Sequence, residues 1–277
     1  MTAKLRTPAQ IALLVERRQA QLLAEVTPII EPFAGGVMGF HELGSWQNQA
    51  CGVGLDGPVE PAQLDELIEF YRSRGAVPQV ELSPFAHASL VEGLAERGFV
   101  VREFENVLAF DLSAGPELED GLLERGWPEG LELERIAHDN AESIALATEL
   151  SMRGFFPEGE LPPAMVEASR ATFARPSTVS FLARVEGRAV ATGSVSLGEQ
   201  VACLIGVSTE PEYRRRGIQQ ALMLARLQVA REQGCVLAMI GSRPGIPTER
   251  NAIRMGFTMA YTKVLLTRPE PGLVPSH

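Results

Sequence analysis

The sequence predicts an α/β protein, with a mixed α+β sheet flanked by helices, arranged as two tandem domains. Three observations support this fold class. Apolar runs suited to strands alternate with amphipathic helical segments in the C-terminal half. The same order of elements recurs in the N-terminal half at a nearly constant spacing. A chain of 277 residues with 45% hydrophobic composition is long enough for two cores of ordinary size.

The N-terminal copy shows its elements from residue 63 onward. A helical segment over 63–75 ends in glycine, and an apolar strand over 77–82 follows. A second helix is predicted over 87–97. Gly98 and Phe99 then lead into a strand that includes 107–110.

The C-terminal copy begins near Leu131. Its first helix is predicted over 141–150. Two apolar strands over 179–185 and 189–197 flank Glu186-Gly187, a pair suited to a tight hairpin turn. The next strand, over 201–207, is rich in β-branched and apolar residues, so it is predicted to be buried.

A helix is predicted between residue 217 and Gly234, which supplies the helix stop. Its apolar residues recur at helical spacings, and they are Ala221, Leu222, Leu224, Ala225 and Val229. Arg226 and Arg231 are predicted to face solvent. A strand over 236–240 follows. Thr248 is predicted to cap a short helix, and residues 261–266 alternate as a final strand.

The two halves match residue by residue at several glycines. Gly75 and Gly234 are 159 positions apart, and the Gly-Phe pairs at 98 and 256 are 158 apart. Gly52 and Gly206 are 154 apart, so the intervening loops differ slightly in length. This near-constant spacing indicates an internal duplication.

Domain boundaries follow from composition. Residues 113–116 and 127–130 are rich in glycine, proline and polar residues, as linkers usually are. We therefore expect a first domain over 1–115, a linker over 116–130, a second domain over 131–270 and a tail over 271–277.

The segment after the 201–207 strand has the composition of a diphosphate site. Pro211 ends the strand, three arginines occupy 214–216, and Gly217 precedes the helix. The first N–H groups of a helix lack intrahelical partners, and the helix dipole is positive there. Such a helix start binds anions. The matching loop of the first copy, 54–61, carries carboxylates and prolines instead, so we expect it to repel a diphosphate.

The segment resembles the acyl-CoA signature of the GNAT superfamily of N-acetyltransferases. In that signature an Arg or Gln is followed by two residues, a Gly, one residue and a Gly or Ala. Arg214, Gly217 and Gln219 occupy these positions, and Gln219 departs from the usual small residue. The resemblance implies a degenerate N-terminal copy and a C-terminal copy that binds acetyl-CoA. It implies these cofactor-binding residues: Ile205, Gly206, Val207, Ser208, Arg214, Arg215, Arg216, Gly217, Ile218, Gln219, Gln220 and Asn251.

The sequence indicates catalytic residues less clearly than it indicates the cofactor-binding segment. Many family members have a Tyr that protonates the departing thiolate, but the matching residue here is Ala252. Tyr261 is a candidate substitute, and packing at the edge of the core is its other interpretation. Glu199 is a candidate general base, with Glu210 and Glu212 as alternatives. Charged side chains are usually solvated, which favours a solvated charge as the interpretation of each glutamate, and the proton would then leave through ordered water.

The expected function is transfer of an acetyl group from acetyl-CoA to a primary amine by direct attack in a ternary complex. The acceptor is expected to be a small molecule or a peptide. Arg153, Phe155 and Phe156 are candidate substrate residues, although core packing or a surface charge would also explain them. Two alternatives are a non-catalytic acyl-CoA-binding regulatory or scaffold protein, and an enzyme of small-thiol biosynthesis similar to mycothiol synthase.

Other functions are disfavoured by composition. The net charge of -10 opposes nucleic-acid binding, and no apolar run reaches the length of a membrane helix. The four histidines are scattered and the three cysteines lack metal-ligand spacing, so no metal is expected. We expect a cytoplasmic protein, and the family resemblance is compatible with a homodimer.

Overall fold

The computed structural model describes residues 6–113, 118, 122–124 and 126–276. The predicted linker over 116–130 therefore lies partly outside the described residues. The chain separates into two compact units. The N-terminal unit comprises 6–107 and 260–276, and the C-terminal unit comprises 108–259.

The described chain contains both helices and strands, interspersed along its length, which confirms the mixed α/β class. In chain order they are α1 (Pro8–Val26), β1 (Ile29–Phe33), β2 (Gly36–Phe40), β3 (Ala50–Cys51), α2 (Pro61–Arg72), β4 (Gln79–Leu82), α3 (Ala88–Glu96), β5 (Val100–Asp111), β6 (Leu131–Ile136), α4 (Ala141–Phe155), α5 (Pro163–Phe173), β7 (Thr178–Val185), β8 (Arg188–Leu197), β9 (Val201–Thr209), α6 (Ile218–Glu232), β10 (Leu237–Ser242), α7 (Pro247–Arg254) and β11 (Thr258–Thr267). None of these helices is both long and apolar enough to cross a bilayer.

The N-terminal unit has a mixed sheet. Strands β1, β2 and β3 are antiparallel, β3 runs parallel to β4, and β4 is antiparallel to β11. Leu64, Leu67, Leu90 and Leu94 from α2 and α3 are fully buried in its core. The sequence pattern predicts no element before residue 63, where the structure has α1 and three strands.

The C-terminal unit also has a mixed sheet. Strands β6 to β9 are antiparallel, and β9 runs parallel to β10. Glu186 and Gly187 both have positive φ, so the predicted hairpin turn between β7 and β8 is confirmed. Consecutive residues of β7 point to opposite faces of the sheet. Phe181 packs in the same cluster as residues of α6, and Leu182 packs in the same cluster as residues of α4. The helices therefore cover opposite faces of this sheet.

Equivalent glycines of the two halves adopt the same backbone conformation. Three pairs have left-handed φ angles: Gly52 and Gly206 (69° and 60°), Gly75 and Gly234 (74° and 80°), and Gly98 and Gly256 (76° and 92°). A parallel strand pair also occurs at the same place in each half, β3 with β4 and β9 with β10. These correspondences support the predicted duplication.

Two local predictions are wrong. Arg226, expected to face solvent, is only 1% exposed, because it lies one turn after the buried Leu222 on the packed face of α6. Thr248 is not the cap of α7. The helix begins at Pro247 with Ile246 as its N-cap, because proline suits the first helical position.

Candidate functional site

The C-terminal unit contains an opening between two strands of its sheet. β9 and β10 pair in parallel only over 201–203 and 237–239, although β9 continues to Thr209 and β10 to Ser242. Residues 205–209 of β9 are half-buried, whereas 201–204 are buried. The outer part of β9 therefore has backbone groups that are not used by β10.

A β-bulge lies in this outer part. Thr192 of β8 pairs with Ser208, and Ser194 pairs with Ile205, so a single residue of β8 faces two residues of β9. One of those two is Gly206, whose φ of 60° is left-handed. A glycine in this conformation is typical of a bulge that strengthens local twist and turns the strand. The bulge thus redirects β9 beside the opening.

The loop after β9 leads to an open helix start. Pro211–Tyr213 form a short 3₁₀ turn, and Arg215 adopts a left-handed φ of 64°. Gly217 is the N-cap of α6 with φ 83°, and its position has no side-chain capping hydrogen bond. The first turn of α6 also contains no acidic residue. The N–H groups of this turn are therefore available to an anion.

The arginines of the loop have different surroundings. Arg214 donates from Nε to the Thr209 carbonyl oxygen at 3.0 Å. Arg216 donates to the Glu212 carbonyl at 3.2 Å, and its guanidinium lies 4.9 Å from the Tyr213 ring centroid. All three arginines are exposed. The loop is therefore braced by its own arginines and keeps a positive outer surface.

A pocket of about 860 Å³ lies at this loop, within the size range of ligand sites. It is lined by nine of the predicted cofactor residues: Val207, Ser208, Arg214, Arg215, Gly217, Ile218, Gln219, Gln220 and Asn251. Ile205, Gly206 and Arg216 are not among the lining residues. Four arginines and a single carboxylate line the pocket, so an acidic protein presents a positive surface here.

Two of those arginines were missed by the sequence analysis. Arg250 and Arg254 lie one turn apart on α7, on either side of Asn251, and both line the pocket. Arg254 lies 3.6 Å from Glu124, the single lining carboxylate. The spacing of four residues beside Asn251 was the signal that could have found them.

Gln219 joins the two helices at the pocket. Its Nε2 donates to Thr248 Oγ1 at 3.1 Å, and its Oε1 accepts a hydrogen bond from Asn251 Nδ2. A larger side chain than the family's usual glycine or alanine is therefore accommodated as a bridge from α6 to α7. Because the bridge uses the side chain, the Gln219 backbone N–H is not occupied by it.

The candidate catalytic residues lie elsewhere. Glu199 is in the turn before β9, nine positions before Ser208 along the chain, a separation of up to about 30 Å at the usual strand rise. Tyr261 belongs to the N-terminal unit, where its hydroxyl donates to Glu16 at 2.6 Å. Burial raises the pKa of Tyr261 well above its usual value. Neither residue lines the pocket, so their catalytic roles stay predictions without structural support.

Tyr261 is part of a buried charged cluster in the N-terminal unit. Lys263, 2% exposed, contacts Glu81 and lies 3.4 Å from Glu105, and it donates to Gln19 at 2.9 Å. Burial opposes the charge on Lys263, but Glu81, Glu16 and Glu105 together raise its pKa well above the usual value. A single lysine therefore faces three carboxylates, and burial raises the pKa of Glu16 and of Glu105.

The candidate substrate residues are neighbours in sequence of Gly154, which lines the pocket. Arg153 donates to the Gly159 carbonyl at 2.9 Å, and Phe156 is half-buried. Neither lines the pocket, whereas Gly154 between them does. The side chain of Phe155 lies outside the described part of the structure. Their roles in acceptor binding therefore stay predictions.

The described residues contain no group of three histidine, cysteine or acidic side chains placed to hold a metal ion. The three cysteines, Cys51, Cys203 and Cys235, are buried and not disulfide-bonded. The chemistry of the described pocket is therefore that of arginines, backbone amides, hydroxyls and side-chain amides.

Comparison with known proteins locates a family domain at this site. The Acetyltransferase (GNAT) family matches residues 145–257. That range includes β9, the arginine loop, α6 and α7. None of the curated protein sequences compared with the chain matches it.

Solved structures extend the likeness to most of the chain. A GCN5-related N-acetyltransferase from Kribbella flavida has a TM-score of 0.71 at 22% identity, over 94% of this chain and 96% of that one. A tandem GNAT protein from the clavulanic acid biosynthesis pathway has a TM-score of 0.56 at 17% identity, over 74% and 68%. The C-terminal domain of a putative lysylphosphatidylglycerol synthetase from Agrobacterium fabrum has a TM-score of 0.57 at 16% identity, over 95% and 92%.

These likenesses show the fold, and the family match identifies the domain that carries the pocket. The predicted tandem GNAT-like fold is thereby confirmed by solved structures that include a tandem GNAT protein. Residues 145–257 form an acetyltransferase domain of the GNAT family.

Proposed function

We propose that the C-terminal unit binds acetyl-CoA in the pocket beside β9 and α6 and transfers its acetyl group to a primary amine. The observation that carries the proposal is the uncapped start of α6 at Gly217, at a pocket lined by four arginines, beside the part of β9 that does not pair with β10. A helix start, arginines and a glycine together suit a diphosphate.

The pocket residues divide into two groups by the part of the ligand they would hold. The backbone of Gly217 to Gln220 and the side chains of Arg214 and Arg215 would bind the diphosphate. The exposed backbone of Val207 and Ser208 would pair with the amides of the pantetheine arm, as an added strand would.

When bound, acetyl-CoA supplies an activated acetyl thioester. Backbone N–H groups of β9 would polarise the thioester carbonyl while the acceptor amine attacks it in a ternary complex. Glu124, the single lining carboxylate, is paired with Arg254, and no histidine lines the pocket in the described chain. We therefore infer that water carries the amine proton away.

A non-catalytic acyl-CoA-binding protein is the second candidate. Ala252 is buried, and it occupies the position where many family members have a tyrosine that protonates the departing thiolate. In that case the same pocket would bind acyl-CoA, but no acetyl group would be transferred and no CoA would be released. The two candidates share the binding step and differ only in turnover.

Calorimetric titration with acetyl-CoA tests the binding step. We expect a stoichiometry of one per chain, with affinity reduced at least about 100-fold in an Arg214→Glu, Arg215→Glu double variant, since two charge-assisted contacts are lost. The matched control is an Arg135→Glu, Arg170→Glu double variant. It reverses the charge of two arginines that are exposed and do not line the pocket. Equal affinity in both variants would contradict the proposed site.

Thiol release tests the transfer step. The wild-type protein is incubated with acetyl-CoA and a panel of primary amines that includes polyamines, amino sugars and peptides, and free CoA is measured. Amine-dependent release that is lost in the Arg214→Glu, Arg215→Glu variant supports the transferase. Tight binding without release on any amine supports the second candidate.

A further inference from the structure

Arg226 is a cation in the interior of the C-terminal unit. It lies on α6, the helix whose start forms the proposed diphosphate site, and is 1% exposed. Within the described chain it has no carboxylate partner, and its Nη2 has no hydrogen-bond partner. Burial lowers the pKa of Arg226 to about 9.

The guanidinium lies at the bulge between β8 and β9. Its Nη1 donates to the Ser194 carbonyl at 3.3 Å and, more weakly, to the Ile205 carbonyl at 3.5 Å. Ser194 and Ile205 are the paired residues directly beside the bulge. The side chain therefore joins α6 to both strands at the point where the regular ladder is interrupted.

Gly193 makes this placement possible. It is the residue of β8 that faces the bulge, and a Cβ there would lie 3.2 Å from the Arg226 Cζ. A side chain at position 193 would therefore push the guanidinium away from the strands. The missing side chain at Gly193 therefore leaves the space that the Arg226 guanidinium occupies against β8.

An apolar side chain would fill this place at lower cost. A buried cation without a counter-charge is strongly disfavoured, and an apolar residue of similar size usually stabilises such a site. The residues one helical turn before and after it on α6, Leu222 and Ala230, are apolar and fully buried. General stability therefore does not explain an arginine here, whereas control of the bulge does.

We propose that Arg226 is a positioning residue for the acyl-bearing end of the CoA site, an inference that rests on the proposed function. By holding the carbonyls of Ser194 and Ile205, the pair of residues at one end of the bulge, it keeps Gly206 and Val207 out of the regular β8–β9 ladder and so sets the path of the backbone from Gly206 to Ser208. Val207 and Ser208 line the pocket, so this backbone faces the ligand. The diphosphate end is held by the loop at 214–217 and does not depend on the bulge.

The test compares two ligands on the same variants by calorimetric titration. Acetyl-CoA uses both ends of the site, whereas 3′-phospho-ADP lacks the pantetheine arm and uses only the diphosphate end. In Arg226→Met we expect acetyl-CoA to bind about tenfold or more weakly, from the loss of charged hydrogen bonds, with 3′-phospho-ADP changed less than about twofold. Arg226→Lys should recover part of the loss. Arg231→Met, near the end of the same helix, is the control and should change neither ligand.

Equal weakening of both ligands, or no weakening of acetyl-CoA, would overturn the positioning role. Wild-type protein that binds neither ligand would overturn the proposed function as well, so the two failures are distinguishable. If Arg226→Met does not fold, Gly193→Ala displaces the guanidinium by a few tenths of an ångström and keeps its charge. That variant should weaken acetyl-CoA about threefold and leave 3′-phospho-ADP unchanged, and unchanged acetyl-CoA affinity would refute the proposal.

Discussion

Gly206 is the position where a single added methyl group should be most disruptive near the site. Its φ of 60° is left-handed, and a Cβ would lie 2.6 Å from Cζ and 2.9 Å from Cε1 of Phe173. Real Cβ atoms essentially never lie closer than 3.0 Å to another heavy atom, and both distances are shorter than that. Phe173 is 4% exposed and packs in the cluster beneath α4, so its ring has little room to move.

The expected cost of Gly206→Ala has two parts. A left-handed conformation costs an alanine about 1–2 kcal/mol. Overpacking against a buried ring adds about 1–3 kcal/mol. The sum is about 2–5 kcal/mol, which corresponds to a fall in the melting temperature of roughly 5–15 °C for a unit of this size.

Thermal and urea unfolding measure this cost, with two variants to separate its parts. Gly234→Ala is the matched control, because Gly234 has a φ of 80° but nothing within 4 Å of its Cβ position. It should show only the backbone cost of about 1–2 kcal/mol. Adding Phe173→Leu to Gly206→Ala should recover at least about 1 kcal/mol, as coupled neighbours do. Equal destabilisation by Gly206→Ala and Gly234→Ala would refute the steric argument.

Three further outcomes are expected. Lys263→Met leaves buried carboxylates uncompensated and should lower the free energy of unfolding by about 3–5 kcal/mol, with part recovered by adding Glu81→Gln, measured in urea. Ser151→Ala removes a buried hydroxyl without a hydrogen-bond partner and should change the free energy of unfolding by less than about 0.5 kcal/mol. Gln219→Ala breaks the bridge to Asn251 and should cost about 1 kcal/mol without weakening acetyl-CoA binding in calorimetry. A several-fold loss of affinity in that variant would show that the bridge shapes the site.

The loop and its helix could be predicted because their signals are local. Pro211, Gly217 and Gly234 restrict the backbone wherever they occur, and the structure places them at the strand end, the N-cap and the helix stop. The hairpin at Glu186-Gly187 has the same origin, since the two residues set the turn type by themselves. Turn chemistry of this kind depends little on the rest of the chain.

Arg226 shows why burial was harder to predict. Its position one turn after Leu222 and one turn before Ala230 puts it on the packed face, but a charged side chain is normally exposed. Only Gly193, on a strand more than 30 residues earlier, explains how the guanidinium fits. A contact between distant positions is not visible in one sequence.

Tyr261 illustrates the same limit for strands. The alternating pattern at 261–266 correctly predicted a strand, yet nothing in it specified the partner. In the structure this part of β11 pairs with β4 and belongs to the N-terminal unit. A strand's own residues determine its faces, whereas its neighbours depend on the whole topology.

The two copies share a left-handed glycine at the parallel strand but differ in charge at the loop that follows, and this difference supports the proposal of a single diphosphate site in the C-terminal unit. In the N-terminal unit Asp56 pairs with Arg17 at 3.0 Å, and Glu60 caps α2 with its N–H bonded to the Gln63 side chain. A diphosphate there would meet two carboxylates at a helix start already served by its own side chains. At the matching start of α6 the cap is a glycine and the nearby charges are arginines. Because both copies have a left-handed glycine here, Gly52 directly after β3 and Gly206 within β9, this conformation alone does not create the proposed site. Side-chain charge and an uncapped helix start do.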